Sequence, residues 1–277
     1  MVQSLEPGLY IVAGPIGNLS DLSPRAADIL SRVDLIAVED SRVTARLLHH
    51  IGIKRPMLPY HDHNADRVRP GLIADIATKA VALVSDAGTP LISDPGYKLV
   101  RAARVAGHQV HTVPGPSAAI AALTLAGLPT DRFLFLGFLP AKAKAKHDAI
   151  MEIAGIRATL VLYESGPRLG DTLAALSQRL DSRDGAVIRE ISKLHEECVT
   201  GTLLELSKRY ANTAPKGEIV IVVGPPTEAS VTTDSDLDAA LDEALSQLSP
   251  SRAAAQVAAK LNVPRKRAYA RALERSR

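Results

Sequence analysis

Short apolar runs and segments of helical periodicity alternate along roughly the first 113 residues. The runs that read as strands are "LYIVAG", "DLIAVED", "VALVSDAG" and "QVHTVPG". Between them, apolar residues recur at helical spacing in "AADILSRV", "VTARLLHHIGI", "GLIADIATKA" and "YKLVRAARVAG". Strands that alternate with helices are typical of a mostly parallel sheet with helices on both faces. This part of the sequence therefore predicts an α/β domain.

A second alternating series begins after "GPSAAIAALTLAG", which predicts a helix following Pro116. Its strand-like runs are "RFLFLGFLP", "ATLVLYES", "GAVIREIS" and "EIVIVVGP". The stretch "PPTEASVTTDSD" is typical of a linker and precedes a last helical segment. We predict two α/β domains and a small helical module, with boundaries at residues 1–116, 117–226 and 236–277.

The final segment predicts two helices joined by a turn. One helix covers about residues 252–261, and in "NVP" Asn262 ends it and Pro264 starts the next, from about Arg265. From residue 250 onwards eight basic residues stand against one acid, a net charge of +7, so the rest of this +3 chain carries −4. A concentrated cationic end favours a polyanionic partner. A solvated basic terminus and a packing or dimerisation appendage are the alternatives.

Composition narrows the class of protein further. With 46% apolar residues over 277 positions the chain can fill sizeable cores. The single Cys198 cannot form an internal disulfide, and the N-terminus lacks a basic segment followed by an apolar one, so we expect a cytoplasmic protein. The most apolar segment, residues 117–129, is too short for a bilayer of about 30 Å, so no membrane partner is expected. Aromatic residues at 3% argue against a base-stacking platform.

Three loops rich in glycine, proline and small polar residues follow predicted strands. They are "GPIGN" (residues 14–18), "SDAGTPLISDPG" (residues 85–96) and "PGPSA" (residues 114–118). In an open parallel sheet, ligands bind beyond the carboxyl ends of the strands. Glycine lets a ligand approach the backbone, and proline fixes the loop shape. The chain has neither a P-loop nor a dinucleotide fingerprint, so these loops suit a nucleoside better than a triphosphate. Each loop taken singly is also compatible with a tight turn.

The motifs together resemble a known family. "GPIGNL", "AVEDSRVTARLL", "HDHN" (residues 61–64), "SDAGTPLISDPG", "VPGPSAA", "GFLP", "LYES" and "KGEIV" occur in the order and spacing of the bacterial ribosomal RNA small subunit methyltransferase I family. That family is the cytidine-2'-O-methyltransferase branch of the tetrapyrrole methylase superfamily. The resemblance covers roughly residues 8–225, and more weakly the C-terminus. It implies a homodimeric enzyme that binds S-adenosylmethionine in the cleft between two α/β domains.

The resemblance also implies which residues hold the cofactor. Position in the family pattern assigns this role to Pro15, Ser85, Asp86, Gly88, Thr89, Pro90, Leu91, Ser117, Ala118, Tyr163, Arg189, Glu218 and Ile219. For Asp86, an Asx turn that closes its own loop is an equally good interpretation. Asp94 is interpreted as structural, because Asp at a helix start caps backbone N–H groups.

Methyl transfer to a ribose hydroxyl calls for alignment and for a base or a cation near the reacting oxygen. The residues predicted to supply these catalytic groups are Glu190, Lys193, Asp40 and His61, with Glu39, Arg42 and His63 as further candidates. "HDHN" could be taken for metal ligands, but no second Cys or His cluster completes a site. We therefore expect no metal.

Two groups of cations are predicted to contact RNA phosphates. Lys142, Lys144 and Lys146 follow a predicted strand at alternating positions, and Arg265, Lys266, Arg267 and Arg271 lie in the basic tail. Contacts of this kind set affinity without reading the sequence of the RNA. For the first group, a solvated loop is the alternative.

The leading hypothesis is therefore 2'-O-methylation of a cytidine in small-subunit (16S) ribosomal RNA, free or in an assembled subunit. One competing hypothesis is a methyltransferase for a small tetrapyrrole such as a precorrin, which would not need the basic tail. The other is a non-enzymatic RNA-binding assembly factor, which would not bind the cofactor.

Overall fold

The computed structural model describes residues 4–94, 96–180, 183–226, 234–261 and 263–276. The chain up to Pro225 forms one compact unit, and the chain from Pro226 onwards forms another. No helix among the described residues is both long and apolar enough to cross a membrane.

The first sheet is parallel throughout. Its strands are β1 (Gly8–Val12), β2 (Leu35–Val38), β3 (Met57–Pro59), β4 (Ala80–Val84) and β5 (Val110–Val113). Their order in space is β3-β2-β4-β1-β5, and every neighbouring pair runs in the same direction. The predicted parallel sheet is confirmed.

Helices cover both faces of this sheet because its strands are apolar on both sides. The helices are α1 (Pro24–Arg32), α2 (Ser41–His50), α3 (Ala65–Ile76) and α4 (Tyr97–Val105). Within β1, Tyr10 and Val12 pack with α1 and α2, whereas Leu9 and Ile11 pack with α3 and α4. Successive side chains of a strand point to opposite faces, so one apolar run supplies both cores.

The second sheet is mixed. Its strands are β6 (Phe133–Phe138), β7 (Thr159–Ser165), β8 (Asp184–Arg189), β9 (Glu197–Thr202) and β10 (Glu218–Val223). The order is β6-β7-β10-β8-β9; β6 and β7 are parallel, and the other pairs are antiparallel. On one face lies α5 (Ala118–Ala126), and on the other lie α6 (Ala143–Ile153), α7 (Gly166–Arg179) and α8 (Leu203–Tyr210). The α/β class is confirmed, while the division at residue 116 remains a prediction.

The predicted loop of alternating lysines is wrong, because α6 starts at Ala143 and turns them to different sides. Lys142 and Lys144 are exposed, but Lys146 is buried. The Lys146 ammonium donates to Thr172 Oγ1 (3.1 Å), and the Thr172 hydroxyl donates to Glu164 Oε2 (2.7 Å). Lys146 therefore belongs to a buried polar network and is removed from the predicted RNA contacts.

The second unit contains α9 (Asp234–Leu245), α10 (Pro250–Lys260) and α11 (Arg265–Arg275). The two predicted helices are confirmed as α10 and α11, and α9 begins inside the predicted linker. Asn262 and residues 227–233 of that linker lie outside the described part of the chain. Leu237 and Leu241 of α9 pack on small residues such as Ala254 and Ala268.

Ion pairs cross-link α9 to α11. Arg271 donates to both carboxylate oxygens of Asp238 (2.6 and 2.8 Å) and also pairs with Glu274 (3.0 Å), and Arg275 pairs with Asp242. The guanidinium of Arg271 is thus occupied within the module, so the prediction that it contacts phosphate is corrected. Arg265 and Lys266 remain exposed at the start of α11.

The buried network predicts a loss of stability in Thr172→Val. The substitution keeps the shape but leaves an ammonium and a carboxylate each short of a partner, which should lower the free energy of unfolding by about 1–3 kcal/mol. Thr124→Val is the matched control: its exposed hydroxyl bonds only to Ala121 O of its own helix, and a change within about 0.5 kcal/mol is expected. Urea denaturation measures both, and equal midpoints for the two variants would contradict the network.

Candidate active site

Backbone hydrogen bonds join the loops that follow β1 and β4. Gly14 N donates to Gly88 O (2.8 Å), and Gly88 N donates to Pro15 O (3.1 Å). Gly88 has a φ of 69°, and a Cβ there would lie 3.2 Å from Ile16 Cγ2, so a side chain would be strained and crowded. The Thr89 hydroxyl donates to Pro116 O (3.1 Å) and brings in the loop after β5. The three predicted loops therefore meet.

A cavity of about 260 Å³ lies between these loops and the second sheet. Eight of the thirteen predicted cofactor residues line it: Asp86, Gly88, Thr89, Ser117, Ala118, Tyr163, Glu218 and Ile219. Both sheets contribute to the wall, and both belong to the first compact unit. The structure thus brings together residues more than a hundred positions apart in the sequence.

Five predicted cofactor residues do not line the cavity. Pro15 offers its carbonyl to Gly88, Ser85 and Pro90 are buried, and Leu91 packs against the core of the first sheet. Arg189 lines a different cleft and bonds to Glu197 Oε2 (2.6 Å). The first four residues shape the loops and Arg189 lies in the other cleft, so their contact with the cofactor remains a prediction.

Sequence reasoning did not assign several residues of the wall to the cofactor: Ile16, Glu39, Ala87, Ile92, Ser93, Asp94, Phe138, Glu164, Ile191 and Val220. Phe138 is 55% exposed although it borders the cavity, and its ring meets Tyr163 edge-on at 5.7 Å. The motif "GFLP" was a signal for Phe138, and "SDPG" was one for Asp94. The apolar residues carried no such signal.

Five acidic residues line the cavity and give it a negative character: Glu39, Asp86, Asp94, Glu164 and Glu218. The pKa of Asp94 is raised to about 6, chiefly by burial. The nearby negative charges of Glu39 and Asp86 contribute to the increase, and a hydrogen bond from Ser85 opposes it. Burial likewise raises the pKa of Glu39 and that of Asp86. The capping role expected for Asp94 is wrong, since α4 begins after Gly96 without a side-chain cap. Such a site favours a cation over a phosphate.

Within the described ranges, no group of three or more His, Cys, Asp and Glu residues is arranged to hold a metal ion. The "HDHN" motif follows β3. His61 N donates to Asn64 Oδ1 (3.0 Å), and the rings of His61 and His63 are 6.0 Å apart. Neither histidine lines the cavity. His61 is close enough for its charge to act on the Glu39 carboxyl.

Asp40 acts as a helix cap. Its carboxylate accepts a hydrogen bond from Arg42 N (2.8 Å) and forms an ion pair with the Arg42 guanidinium (2.6 Å). These bonds lower the pKa of Asp40 to about 2, which disfavours the role of proton acceptor, and its catalytic role remains a prediction. Asp40 N donates to Asp86 Oδ1 (3.0 Å), and this bond holds the Asp86 carboxylate in place.

Lys193 bridges two glutamates at the end of the second sheet. Its ammonium lies 3.1 Å from Glu190 Oε1 and 2.6 Å from Glu218 Oε2, while its alkyl chain covers Gly17 in the first loop. Burial alone would raise the pKa of Glu190, but the hydrogen bond and charge of Lys193 outweigh it, and the pKa is lowered. A paired carboxylate of low pKa is a poor proton acceptor, so the pair fits a positioning role better.

Known proteins resemble this chain in sequence and in fold. The family model for Tetrapyrrole (Corrin/Porphyrin) Methylases matches residues 8–207, and the RsmI C-terminal HTH domain matches residues 231–276. Uroporphyrin-III-C-methyltransferase from Thermus thermophilus has the same fold, with a TM-score of 0.57 and 21% identity over 79% of this chain and 94% of that one. The chain is therefore a methyltransferase of the tetrapyrrole methylase class.

Full-length relatives narrow the class. "Ribosomal RNA small subunit methyltransferase I" of Erythrobacter litoralis is 53% identical over 98% of this chain and 96% of its own length. The protein of the same name from Mesorhizobium japonicum is 45% identical over 98% of this chain and 92% of its own. The chain belongs to the ribosomal RNA small subunit methyltransferase I family.

The raised pKa of Asp94 predicts a pH-dependent effect of Asp94→Asn. An unfolded Asp has a pKa near 3.9, so Asp94 contributes stability that is fully present below about pH 4 and is lost as the pH rises through 6. Asp94→Asn removes this loss. The free energy of unfolding of the variant, relative to that of the wild type, should therefore increase between pH 4 and 6.5 and stay constant at higher pH.

Urea denaturation at several pH values measures the difference, with the non-titrating Ser93→Ala as the control. A difference between Asp94→Asn and the wild type that is constant from pH 4 to 7.5 would contradict the account of this carboxyl.

Proposed function

We propose that this chain transfers a methyl group from S-adenosylmethionine to the ribose 2'-hydroxyl of a cytidine in 16S ribosomal RNA, on an assembled or nearly assembled small subunit. The observation that carries the proposal is the cavity between the two sheets, whose wall combines glycine-containing loop backbone with five acidic side chains. The names and high identities of the relatives disfavour a precorrin-type substrate and a non-enzymatic assembly factor.

The cavity fits the chemistry of the cofactor. S-adenosylmethionine carries a positive sulfonium and no phosphate, and the cavity offers Glu39, Asp86 and Asp94 in place of a glycine-rich phosphate cradle. When bound, the cofactor supplies an electrophilic methyl group. We assign its contacts to the predicted residues that line the wall, with Asp86, Thr89 and Ser117 on one side and Tyr163 and Glu218 on the other.

The residues of the chain then have to position the acceptor ribose and accept its proton. Alignment of the acceptor is the largest contribution that a rigid cleft can make. Among the carboxyls of the wall, Asp94, with a pKa of about 6, is best matched to receive a hydroxyl proton near neutral pH. Glu190 and Lys193 would act indirectly, because they hold the loop between β8 and β9 against Gly17.

We further propose a cytoplasmic homodimer, in which Lys142, Lys144 and the exposed cations of α11 contact RNA phosphates. Arg265 and Lys266 are exposed, unlike the cross-linking Arg271. Sedimentation of the purified chain tests the oligomeric state.

The transfer itself is tested with labelled S-adenosylmethionine and small subunits isolated without this methylation. We expect about one methyl group per subunit, on a cytidine whose 3' linkage then resists alkaline cleavage. Asp86→Ala should weaken cofactor binding in calorimetry, because it removes one cavity carboxylate and the acceptor for Asp40 N. The control Asp171→Ala changes an exposed acid of α7 and should bind as the wild type does.

Three results would contradict the proposal: label on a small tetrapyrrole alone, label on a base rather than a ribose, or no cofactor binding by the wild type. Unchanged affinity in folded Asp86→Ala would remove only that residue from the site.

The basic tail predicts a salt-dependent effect. Arg265→Ala/Lys266→Ala should weaken subunit binding and reduce the slope of log affinity against log salt by roughly one to two, since each phosphate contact contributes about 0.7–0.9. Arg271→Ala should instead lower the stability of the helical module, because Asp238 loses its bidentate partner. Binding titrations and thermal melts separate the two effects, and an unaltered slope in a stable double variant would exclude phosphate contact.

A further inference from the structure

A second cleft, of about 390 Å³, lies beside the first cavity in the same compact unit. The end of β8, the start of β9, the last turn of α8 and the segment before β10 enclose it. Its charged residues are Arg189, Glu197, Arg209 and Lys216.

Some residues that line the second cleft are adjacent in the sequence to residues that line the first cavity. Lys216 lines the second cleft, and Glu218, two residues later, lines the first cavity. Arg189 precedes Glu190, whose carboxylate accepts a hydrogen bond from Glu218 N (3.4 Å). A polymer whose acceptor unit occupied the first cavity would therefore pass next to the second cleft.

Three cations surround one acid in this cleft. Arg189 uses Nε for Glu197 (2.6 Å), and its two terminal nitrogens make no hydrogen bond within the described residues. Arg209 lies 3.9 Å from the other Glu197 oxygen, beyond hydrogen-bond distance, and 59% of its side chain is exposed. Lys216 is exposed and has no ion pair in the part of the chain that the structure describes. The cleft thus has a formal excess of two positive charges.

The donors suit a phosphate group. Two guanidinium groups and an ammonium supply charge-assisted hydrogen bonds to phosphate oxygens, and arginine matches their geometry. Glu197 holds the guanidinium of Arg189 in place without cancelling the total charge. The Tyr210 ring is buried and lies below the Arg209 guanidinium at 6.0 Å, so it offers no free face to a nucleobase.

We propose that this cleft binds a backbone phosphodiester of the RNA strand that carries the acceptor nucleotide. The inference rests on the proposed function, because it takes RNA to be the substrate. Such a contact would anchor the strand next to the methylated ribose and would fix its register without reading bases.

The test uses the full-length variant Arg209→Gln/Lys216→Gln, which removes two charges from exposed positions. Lys208→Gln is the matched control, since Lys208 is an exposed cation on the same helix that does not line the cleft. Binding of unmethylated small subunits is measured at several salt concentrations, alongside the KM for subunits, the cofactor affinity and the melting temperature.

We expect the double variant to reduce the salt slope by about 0.7–0.9, the contribution of one phosphate contact, and to raise the KM for subunits by about tenfold or more. Cofactor affinity and melting temperature should stay near the wild-type values. Lys208→Gln should change the slope by clearly less than the double variant.

A wild-type slope and KM in the folded double variant would overturn the proposal. So would a fall in cofactor affinity with normal subunit binding, which would assign the cleft to the carboxylate of the cofactor. An equal decrease in the salt slope of Lys208→Gln would show that a general charge effect, and not a specific site, causes the change. The salt slope is measured from subunit binding alone, so it tests the role of the cleft even if the wild type transfers no methyl group. The absence of methyl transfer would count against the proposed function instead.

Discussion

The two backbone hydrogen bonds that Gly88 makes with Gly14 and Pro15 are the contact on which the site depends. They fix the loops after β1 and β4 at adjacent ends of parallel strands. Gly88 can make them because its φ of 69° costs glycine little and because its missing Cβ leaves room for Ile16. With Thr89 bonded to Pro116, the same short segment also fixes the loop after β5. Carboxylates at such fixed positions hold their charge where a cation would bind.

The second sheet completes the cavity through the loop between β8 and β9. Lys193 lies over Gly17 and pairs with Glu190 and Glu218, and the Ser192 hydroxyl donates to the Asp21 carboxylate. Glu190 and Ser192 adopt φ values of 52° and 65°, which are uncommon without glycine. A strained backbone conformation persists only where surrounding contacts hold it, and here the ion pairs provide those contacts.

Much of the fold could be predicted from the apolar runs that alternate with helical segments. Strands such as β1 and β4 are buried on both faces of the sheet, so they are apolar along their length. The antiparallel β9 was missed, since "ECVTGT" carries little apolar signal. Loop residues such as Gly88 and Thr89, which line the cavity, could be picked out because glycine and proline mark the backbone geometry locally; their contact with a cofactor remains a prediction. The sequence pattern did not show that Arg189, Asp40 and Lys146 bond to Glu197, Arg42 and Thr172, because two of these pairs arise only from strand pairing and helix packing. Asp94 was not assigned to the cavity, because the wall that it shares includes residues of the second sheet that are far away in the sequence.

The central claim is that loops from both sheets close on one cofactor. Hydrogen exchange of the full-length protein with and without S-adenosylmethionine tests it most directly, because exchange reports local opening of each backbone segment. We expect slower exchange in the segments around Gly88, around Ser117 and around Glu218, and little change in α7. Protection confined to the loops of the first sheet, or located outside all three segments, would contradict it.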